Sequence, residues 1–417
     1  MRYSGEVNPT SVSRIVGSAT IAPSPRPRTF RHSVWFIVLV ALLLRLAVIT
    51  IGHTYRITPR RDHFQFGWEM GRLARSIAQG HGFSSPTDLD SGPSAWTAPV
   101  YPYLLGWIFK VFGVYSAASA WMVLAFNSIF AALTCWTIFL IAERIFGNTV
   151  ARWSAWAWAV FPYLIYWPVR VVWEASFSTF LLTLAFWLAM SMADATSTKR
   201  RDWIWFGLLW GLIALTNTAL AVFVICLVPW TIRNYSTFGR FILIRDNLPL
   251  ELYEANNNSS SGLWTRSEHP GNDPATMRRF QELGEIRFMD EKKKQFQEFI
   301  REHSAQFLRF TAERVWYFWA APPQATVVHG YDFRVARHTQ FFLAALFSFA
   351  GIALMFLRSN PYRWLLAPFL VIYPLPYYLV NPFPRYKHPI EPIMLILIVY
   401  VIAEANRVRF RLRQNRV

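Results

Sequence analysis

Long apolar runs bounded by polar or charged residues divide this chain: Ser33 to Gly52, then about 98–113, 117–142, 149–168, 172–193, 203–232, 339–357, 364–381 and 389–405. At a rise of about 1.5 Å per residue, roughly 20 such residues cross the ~30 Å hydrocarbon layer of a bilayer. A segment in lipid must also satisfy its own backbone hydrogen bonds, which leaves helices as the natural solution. The pattern predicts an all-α polytopic membrane protein. Run 98–113 is short and carries Pro99 and Pro102, and run 203–232 fits either one tilted helix or a hairpin breaking near Asn217. The count therefore stays between 8 and 10 crossings.

The polar stretches between these runs organise the rest. Residues 1–32, rich in Ser, Pro and Arg, read as a disordered basic leader with no signal-peptide core. Residues 33–232 form an N-terminal transmembrane module that includes a first loop, 53–97; segment 233–338 is a second loop, 339–405 holds the C-terminal membrane helices, and 406–417 is a basic tail. In the first loop, Phe66, Met70, Leu73 and Ile77 recur at helical spacing and predict a helix over 63–79 lying along the membrane surface. Asp62 stands at its N-cap, Gln65 at the third position of a capping box, and Gly80 where a glycine stop belongs. In the second loop, the stretch from Asn256 to Gly262 is turn-rich. Beyond it, Phe296, Phe299, Ile300, Phe307 and Phe310 predict one amphipathic helix from Glu285 to Trp319. That helix either lies on the membrane, with Lys292, Lys293, Lys294, Arg301 and Arg309 toward its polar side, or packs on the bundle.

Composition sharpens the class. Charged residues make up 16% of the chain, against roughly 25% in soluble domains, so an ordinary soluble enzyme is excluded. The formal charge of +18 is concentrated beside the apolar runs, in Arg2, Arg14, Arg26, Arg28 and Arg31 at one end and Arg407, Arg409, Arg411, Arg413 and Arg416 at the other. The positive-inside rule puts both ends in the cytoplasm, so that loops 53–97 and 233–338 and the turn from Arg385 to Pro392 fall outside together. Cys135 and Cys226 both lie inside apolar runs and offer neither a disulfide framework nor a metal site. No P-loop, HExxH, CxxC or dinucleotide fingerprint is present, which removes support for ATP hydrolysis, zinc peptidase and Rossmann chemistry. Nucleic-acid binding has nothing beyond the net charge.

Candidate chemistry gathers at the outer boundary. A carboxylate at Asp62 beside Arg60 and Arg61 could deprotonate an acceptor hydroxyl while the cations hold a phosphate; a capping role accounts for the same residue equally well. Glu69 lies two turns further along the predicted helix on roughly the same face. Glu174 opens an apolar run after Arg170, a position where ionisable groups tend to be paired or functional. Arg385, Tyr386, Lys387 and His388 open the last membrane helix, where cations and helix dipole together make an anion site, or alternatively an anchor to lipid headgroups. Arg233 and Asn234 form a second boundary cluster.

The order of these features resembles the bacterial branch of the C-type glycosyltransferase superfamily, related to protein O-mannosyltransferases and the lipid A aminoarabinose transferase. One membrane helix precedes an outer loop with an acidic residue and an amphipathic helix ending Gly80, His81, Gly82, Phe83. There follow Ala98 to Pro102 leading into Phe112 and Gly113, Glu143 to Gly147, Glu174, Leu215 to Asn217, Pro229 to Asn234, and Arg385 to Pro389. Asp62 is followed by His63 where many relatives carry a second acid, and Asn217 and Thr218 stand where Arg-Pro is common. The resemblance spans about 33–405 and implies sugar transfer from a polyprenyl-phosphate donor to a hydroxyl of a lipid, glycan or protein. Transfer would take place in the bacterial cytoplasmic (inner) membrane, with the active site on its periplasmic or extracellular side. It matches Asp62 to the catalytic acid of such families, with Glu69 and Glu174 as further carboxylates; Arg60, Arg61, Arg233, Arg385, Tyr386, Lys387 and His388 would bind substrate. A single displacement would invert the anomeric centre. No cofactor is certain, and a divalent metal is left open. The alternative is a transporter or flippase of lipid-linked sugars, whose signature would be charged or helix-breaking residues near the midplane of several helices.

Overall fold

The computed structural model describes residues 33–57, 65–87, 89–195, 197–218, 228–323, 327–328 and 331–414. The leader 1–32 and the loop residues Arg60, Arg61 and Asp62 lie outside the described residues. Apart from a two-residue hairpin, β1 (Val327–Val328) with β2 (Tyr331–Asp332), the described elements are helices, in agreement with the expected fold class.

Among the described residues, five helices are long and apolar enough to cross a membrane: α1 (Val34–Ile51), α4 (Ala117–Phe146), α7 (Ala175–Ala193), α13 (Arg334–Leu357) and α16 (Glu391–Gln414), the last with its lead-in from Pro384. The expectation of 8 to 10 crossings is not met by unbroken helices, because several apolar runs are interrupted. Run 149–168 becomes α5 (Asn148–Val160) and α6 (Pro162–Arg170), run 364–381 becomes α14 (Arg363–Val371) and α15 (Leu375–Leu379), and α8 (Arg200–Thr216) stops at Asn217. The two remaining elements of the N-terminal module are the short α2 (Trp68–Ala78) and α3 (Val100–Phe112). They cross closely at Gly106, where a Cβ would sit 2.9 Å from Ile77 Cγ2.

The break after α5 has a specific repair. Pro162 has no N–H, so the carbonyl of Trp158 loses its helical donor. Arg45, fully buried in α1, donates Nη2 to Trp158 O and Nη1 to Ala159 O, each at 3.0 Å, as well as to Ala41 O of its own helix. Trp158 in turn donates its indole N–H to Ala131 O at 2.8 Å, and Thr137 and Thr183 hydrogen-bond at 2.7 Å, tying α5 and α7 to α4. Asn127 accepts from the Tyr101 hydroxyl and donates to Val171 O, joining α3 and the end of α6 to α4.

Charge separates the two ends of the bundle. The C-terminal ends of α4 and α7 meet through Arg144 and Asp194, with the Tyr362 hydroxyl also on Asp194, and Glu404 of α16 pairs with Arg358 and Arg407. The N-terminal ends of α4, α7 and α16 lie at the opposite end, where the polar segments pack. That polar part comprises α9 (Val228–Phe238), α10 (Leu248–Ala255), α11 (Pro274–Glu302) and α12 (Ser304–Ala320). The single helix expected from Glu285 to Trp319 is two: His303 leaves helical geometry (φ −128°, ψ 41°), and α11 starts ahead of that range, kinking at Gly284. Periodicity continues across such a break because the apolar faces of both helices still turn inward, with Phe299 and Phe310 buried.

Arg45→Met is expected to lower the midpoint of thermal unfolding in detergent, since each carbonyl left without a donor costs about 1–3 kcal/mol. An unchanged midpoint would show that the end of α5 finds donors elsewhere.

Candidate functional site

At the polar end, a cavity of about 600 Å³ opens where interrupted helices converge, within the roughly 300–1,000 Å³ range of small-molecule sites. Its walls come from the start of α2, residues 96–98, the junction before α7, the end of α8, the stretch 243–254 including α10, Trp264 with His269, and residues 376–386.

Glu69 sits in the first turn of α2. That helix begins at Trp68 with Gly67 as its cap, in the left-handed region (φ +105°), so it starts later than expected; Asp62, the expected cap, lies outside the described residues. A Cβ on Gly67 would lie 3.2 Å from Val172 Cγ1, so glycine lets the helix start close against the α6–α7 junction. Its other end agrees with expectation: Gly80 (φ +86°) donates to Ile77 O and His81 to Ser76 O, the paired bonds of a Schellman stop. Glu69 Oε1 lies 3.1 Å from His269 Nε2. His269 Nδ1 accepts the Gly271 amide at 3.0 Å, so the neutral imidazole carries its proton on Nε2, facing Glu69. Burial would raise the Glu69 carboxyl, but the His269 hydrogen bond and charge, with Arg72, hold it below its ordinary value. For His269 itself, burial opposes the cation, while Glu254 and Glu69 outweigh burial and raise its pKa.

Glu254, on the last turns of α10, accepts the Trp264 indole N–H on Oε2 at 3.0 Å, and its Oε1 has no partner among the described residues. Burial pushes its carboxyl up to about 8, against the pull of His269. Glu174 caps the start of α7; burial raises it to about 7, although Arg385 and Arg245 pull the other way. Arg245 pairs with Glu251 Oε1 at 3.3 Å. Arg385 makes no ion pair among the described residues. Its guanidinium carbon lies 4.4 Å from the Phe383 ring centre, 4.5 Å from Trp173 and 5.0 Å from Tyr386, and its Nε has no partner.

Of the residues singled out in the sequence, Glu69, Glu174, Arg385 and Tyr386 share this cavity. Arg233 does not line it. Instead it donates to Ser94 O at 2.7 Å and Phe83 O at 3.1 Å among the rings of Phe83, Trp230 and Phe238, holding the first loop against α9. Nor do Lys387 and His388. The Lys387 ammonium lies 3.4 Å from the Phe341 ring centre, while His388 is buried against Trp158 with Nδ1 2.7 Å from Glu391 Oε2. The expected three-cation anion site is therefore not a single site: consecutive short 3₁₀ turns, Pro384–Tyr386 and His388–Ile390, turn these side chains in different directions. Sequence reasoning missed Arg245, Glu254, Trp264 and His269, which carry no motif and come together only through folding.

A metal is not supported by these residues. Among the described residues no group of three or more His, Cys, Asp or Glu is arranged to hold one. The nearest approach, Glu69 with His269 and Glu254, fails chemically, because one imidazole nitrogen accepts a backbone amide and the other carries its proton toward Glu69.

Residues 96–243 match the sequence profile of a family described as Dolichyl-phosphate-mannose-protein mannosyltransferase. That stretch is less than half of the chain, and it is where the resemblance to the C-type glycosyltransferases has support in sequence. The apo oligosaccharyltransferase of Archaeoglobus fulgidus superposes with a TM-score of 0.50 at 14% identity, covering 93% of this chain and 53% of that one, and shows a shared fold. Its complex with an inhibitory peptide and a dolichol-phosphate gives 0.49 at 15% identity, over 94% of this chain and 52% of that one. ArnT of Cupriavidus metallidurans bound to undecaprenyl phosphate gives 0.36 at 15%, over 88% and 77%. The chain thus spans about half the length of the archaeal enzyme. No curated protein matches it. The profile match includes Trp173 and Glu174 of the cavity and ends before Glu254, Trp264, His269 and Arg385.

The Glu174 shift sets a stability test. Its folded pKa of about 7 exceeds the ordinary 4.5, so the wild type loses stability as pH rises from about 4.5 and stops losing it above about 7. Glu174→Gln cannot ionise and should gain on the wild type over that window, by about 3 kcal/mol at pH 8. Melting midpoints in detergent at several pH values check this, and a constant difference would contradict it.

Proposed function

We propose that this chain is an integral membrane glycosyltransferase that moves a sugar from a polyprenyl-phosphate donor to an acceptor hydroxyl at the outer face of the cytoplasmic membrane. The observation that carries the reading is Arg385: a guanidinium in a cavity wall, held by aromatic rings and not by a carboxylate, and so available to a phosphate. The family match to a dolichyl-phosphate-mannose transferase supports a lipid-phosphate donor. The outer location is supported by the separation of charge, since positive-inside topology puts the end bearing Arg144, Arg358 and Arg407 in the cytoplasm, and the cavity lies at the other end.

In this reading the acceptor oxygen attacks the anomeric carbon as the bond to the phosphate oxygen breaks. The proton passes to a carboxylate, and the phosphate leaves as an anion stabilised by Arg385, with Arg245 as a second, partly neutralised cation. Asp62 is the proposed base. Glu69, kept ionised and oriented by His269, holds the acceptor hydroxyl. A single displacement inverts the sugar. Trp68, Trp173 and Phe383 around Arg385 exclude water from the leaving group, which strengthens each charge interaction there.

Purified protein in lipid, given a panel of polyprenyl-phosphate sugars and membrane acceptor extracts, is expected to transfer sugar. Asp62→Asn should abolish turnover with donor binding intact. Arg385→Ala should weaken donor binding and turnover roughly 10- to 100-fold, the scale of a lost hydrogen bond to a charged group. Full turnover in Asp62→Asn would remove the base assignment, and full donor binding in Arg385→Ala would remove the phosphate site.

A further inference from the structure

The cavity has a second pole with a different chemistry from that around Arg385. There Glu254, His269 and Glu69 face one another, with the Trp264 indole beside them. We propose that this pole is a sugar-ring subsite, in which Trp264 stacks on the ring and Glu254 bonds its hydroxyls. The proposal rests on the glycosyltransferase reading for its place in the reaction, but not for its chemistry.

Three observations carry it. Trp264 is half-buried, and its indole N–H is tied to Glu254 Oε2 at 3.0 Å, so the plane of the ring is fixed before any ligand arrives. A rigid aromatic face suits the C–H face of a pyranose, which is apolar while its edge is polar. Glu254 is only 3% exposed yet leaves Oε1 without a partner. A buried acceptor left unmade is costly, and a ligand hydroxyl removes that cost. His269 cannot serve Glu254 in this way, because both of its ring nitrogens are engaged, one by the Gly271 amide and one by Glu69.

The chemistry favours a neutral polyol over a cation. Burial raises Glu254 to about 8, so near neutrality it is largely protonated and can both donate to and accept from hydroxyls. Phe383 contacts Trp264, with ring centres 6.4 Å apart, and also Arg385, which places the subsite next to the proposed phosphate position in one cavity. The ring could be the donor's transferred sugar or a sugar of the acceptor.

Saturation-transfer difference NMR on the full chain in lipid nanodiscs, with methyl α-D-glucopyranoside, mannopyranoside and galactopyranoside as probes, tests the proposal. At least one probe should give signal on the wild type, and affinity should fall at least tenfold in Trp264→Ala and in Glu254→Ala, with Trp264→Phe recovering part of the loss. Melting midpoints establish that the variants fold, and native mass spectrometry records undecaprenyl phosphate binding separately. Silence from every probe on the wild type, or equal signal in all variants, overturns the subsite. If Trp264→Ala does not fold, the comparison of Trp264→Phe and Glu254→Ala with wild type decides. Displacement of the probe by an undecaprenyl-phosphate sugar, but not by undecaprenyl phosphate, assigns the ring to the donor; persistence with both assigns it to the acceptor. A wild type that binds pyranosides but no undecaprenyl phosphate would sink the glycosyltransferase reading and leave the subsite standing.

Discussion

Helices that break inside an apolar bundle release carbonyls that neither water nor lipid can satisfy, and the rest of this structure depends on how those carbonyls are bonded. The answer is repeated: an arginine, buried at Arg45 and Arg314 and half-buried at Arg233 and Arg337. Arg45 closes the end of α5. Arg314 donates to Leu379 O at 2.6 Å and Tyr378 O at 3.3 Å at the end of α15, and to Asn256 just beyond α10. Arg233 binds two carbonyls of the first loop, and Arg337 binds Pro322 O. A guanidinium suits the task because its donors are fixed in a fork that reaches two acceptors at once, and its charge needs no carboxylate when several carbonyl dipoles converge on it.

The cavity follows from the same device. Arg314 and Asn256 join the end of α10, which carries Glu251 and Glu254, to the end of α15, which leads into Arg385; Asn256 also donates to Leu379 O at 3.1 Å. Beyond that knot, Tyr373 donates to Tyr386 O at 2.7 Å, and Tyr377 stacks on Tyr386 at 4.7 Å, fixing the turn that presents Arg385. The interruptions that cost helical hydrogen bonds are thus what make room for a polar site at the end of an apolar bundle. Without donors to repair them, the chain could not turn there.

This explains what could be read in advance. The apolar runs gave the helices, and the Gly80 stop and the opening of α7 by Glu174 followed from local rules that act over a few residues. The breaks were less visible, because an apolar run reads alike whether one helix or two fills it, and His303 interrupts a stripe of phenylalanines that stays in phase across it. In the site, Glu69, Glu174, Arg385 and Tyr386 were conspicuous as polar groups at the edges of apolar runs. Arg245, Glu254, Trp264 and His269 were not, since they sit in a polar segment where charge is unremarkable and only long-range packing brings them to the cavity. Arg233, Lys387 and His388 had the same local appearance as Arg385. What separates them is partnering, which a sequence does not record.

That partnering decides which cation can meet an anion. Lys387 and His388 are buried beside Glu391 and aromatic rings, and Arg233 is bonded to carbonyls, so a phosphate at any of them would first have to displace existing contacts. Arg385 is held differently. Rings attract a guanidinium through their faces, and the one hydrogen bond of the Arg385 guanidinium is a long one, Nη2 to the Tyr386 hydroxyl at 3.4 Å, so the side chain is positioned with most of its donors left over. A carboxylate in the same place would position it equally well but would neutralise it, and a phosphate would then pay for separating a desolvated ion pair. Among the described residues, Glu174 is a carboxyl whose charge would bear on Arg385 in this way, and burial keeps it largely protonated up to about pH 7. The aromatic cage and the buried acid therefore act together, and the charge of Arg385 stays available to whatever anion enters the cavity.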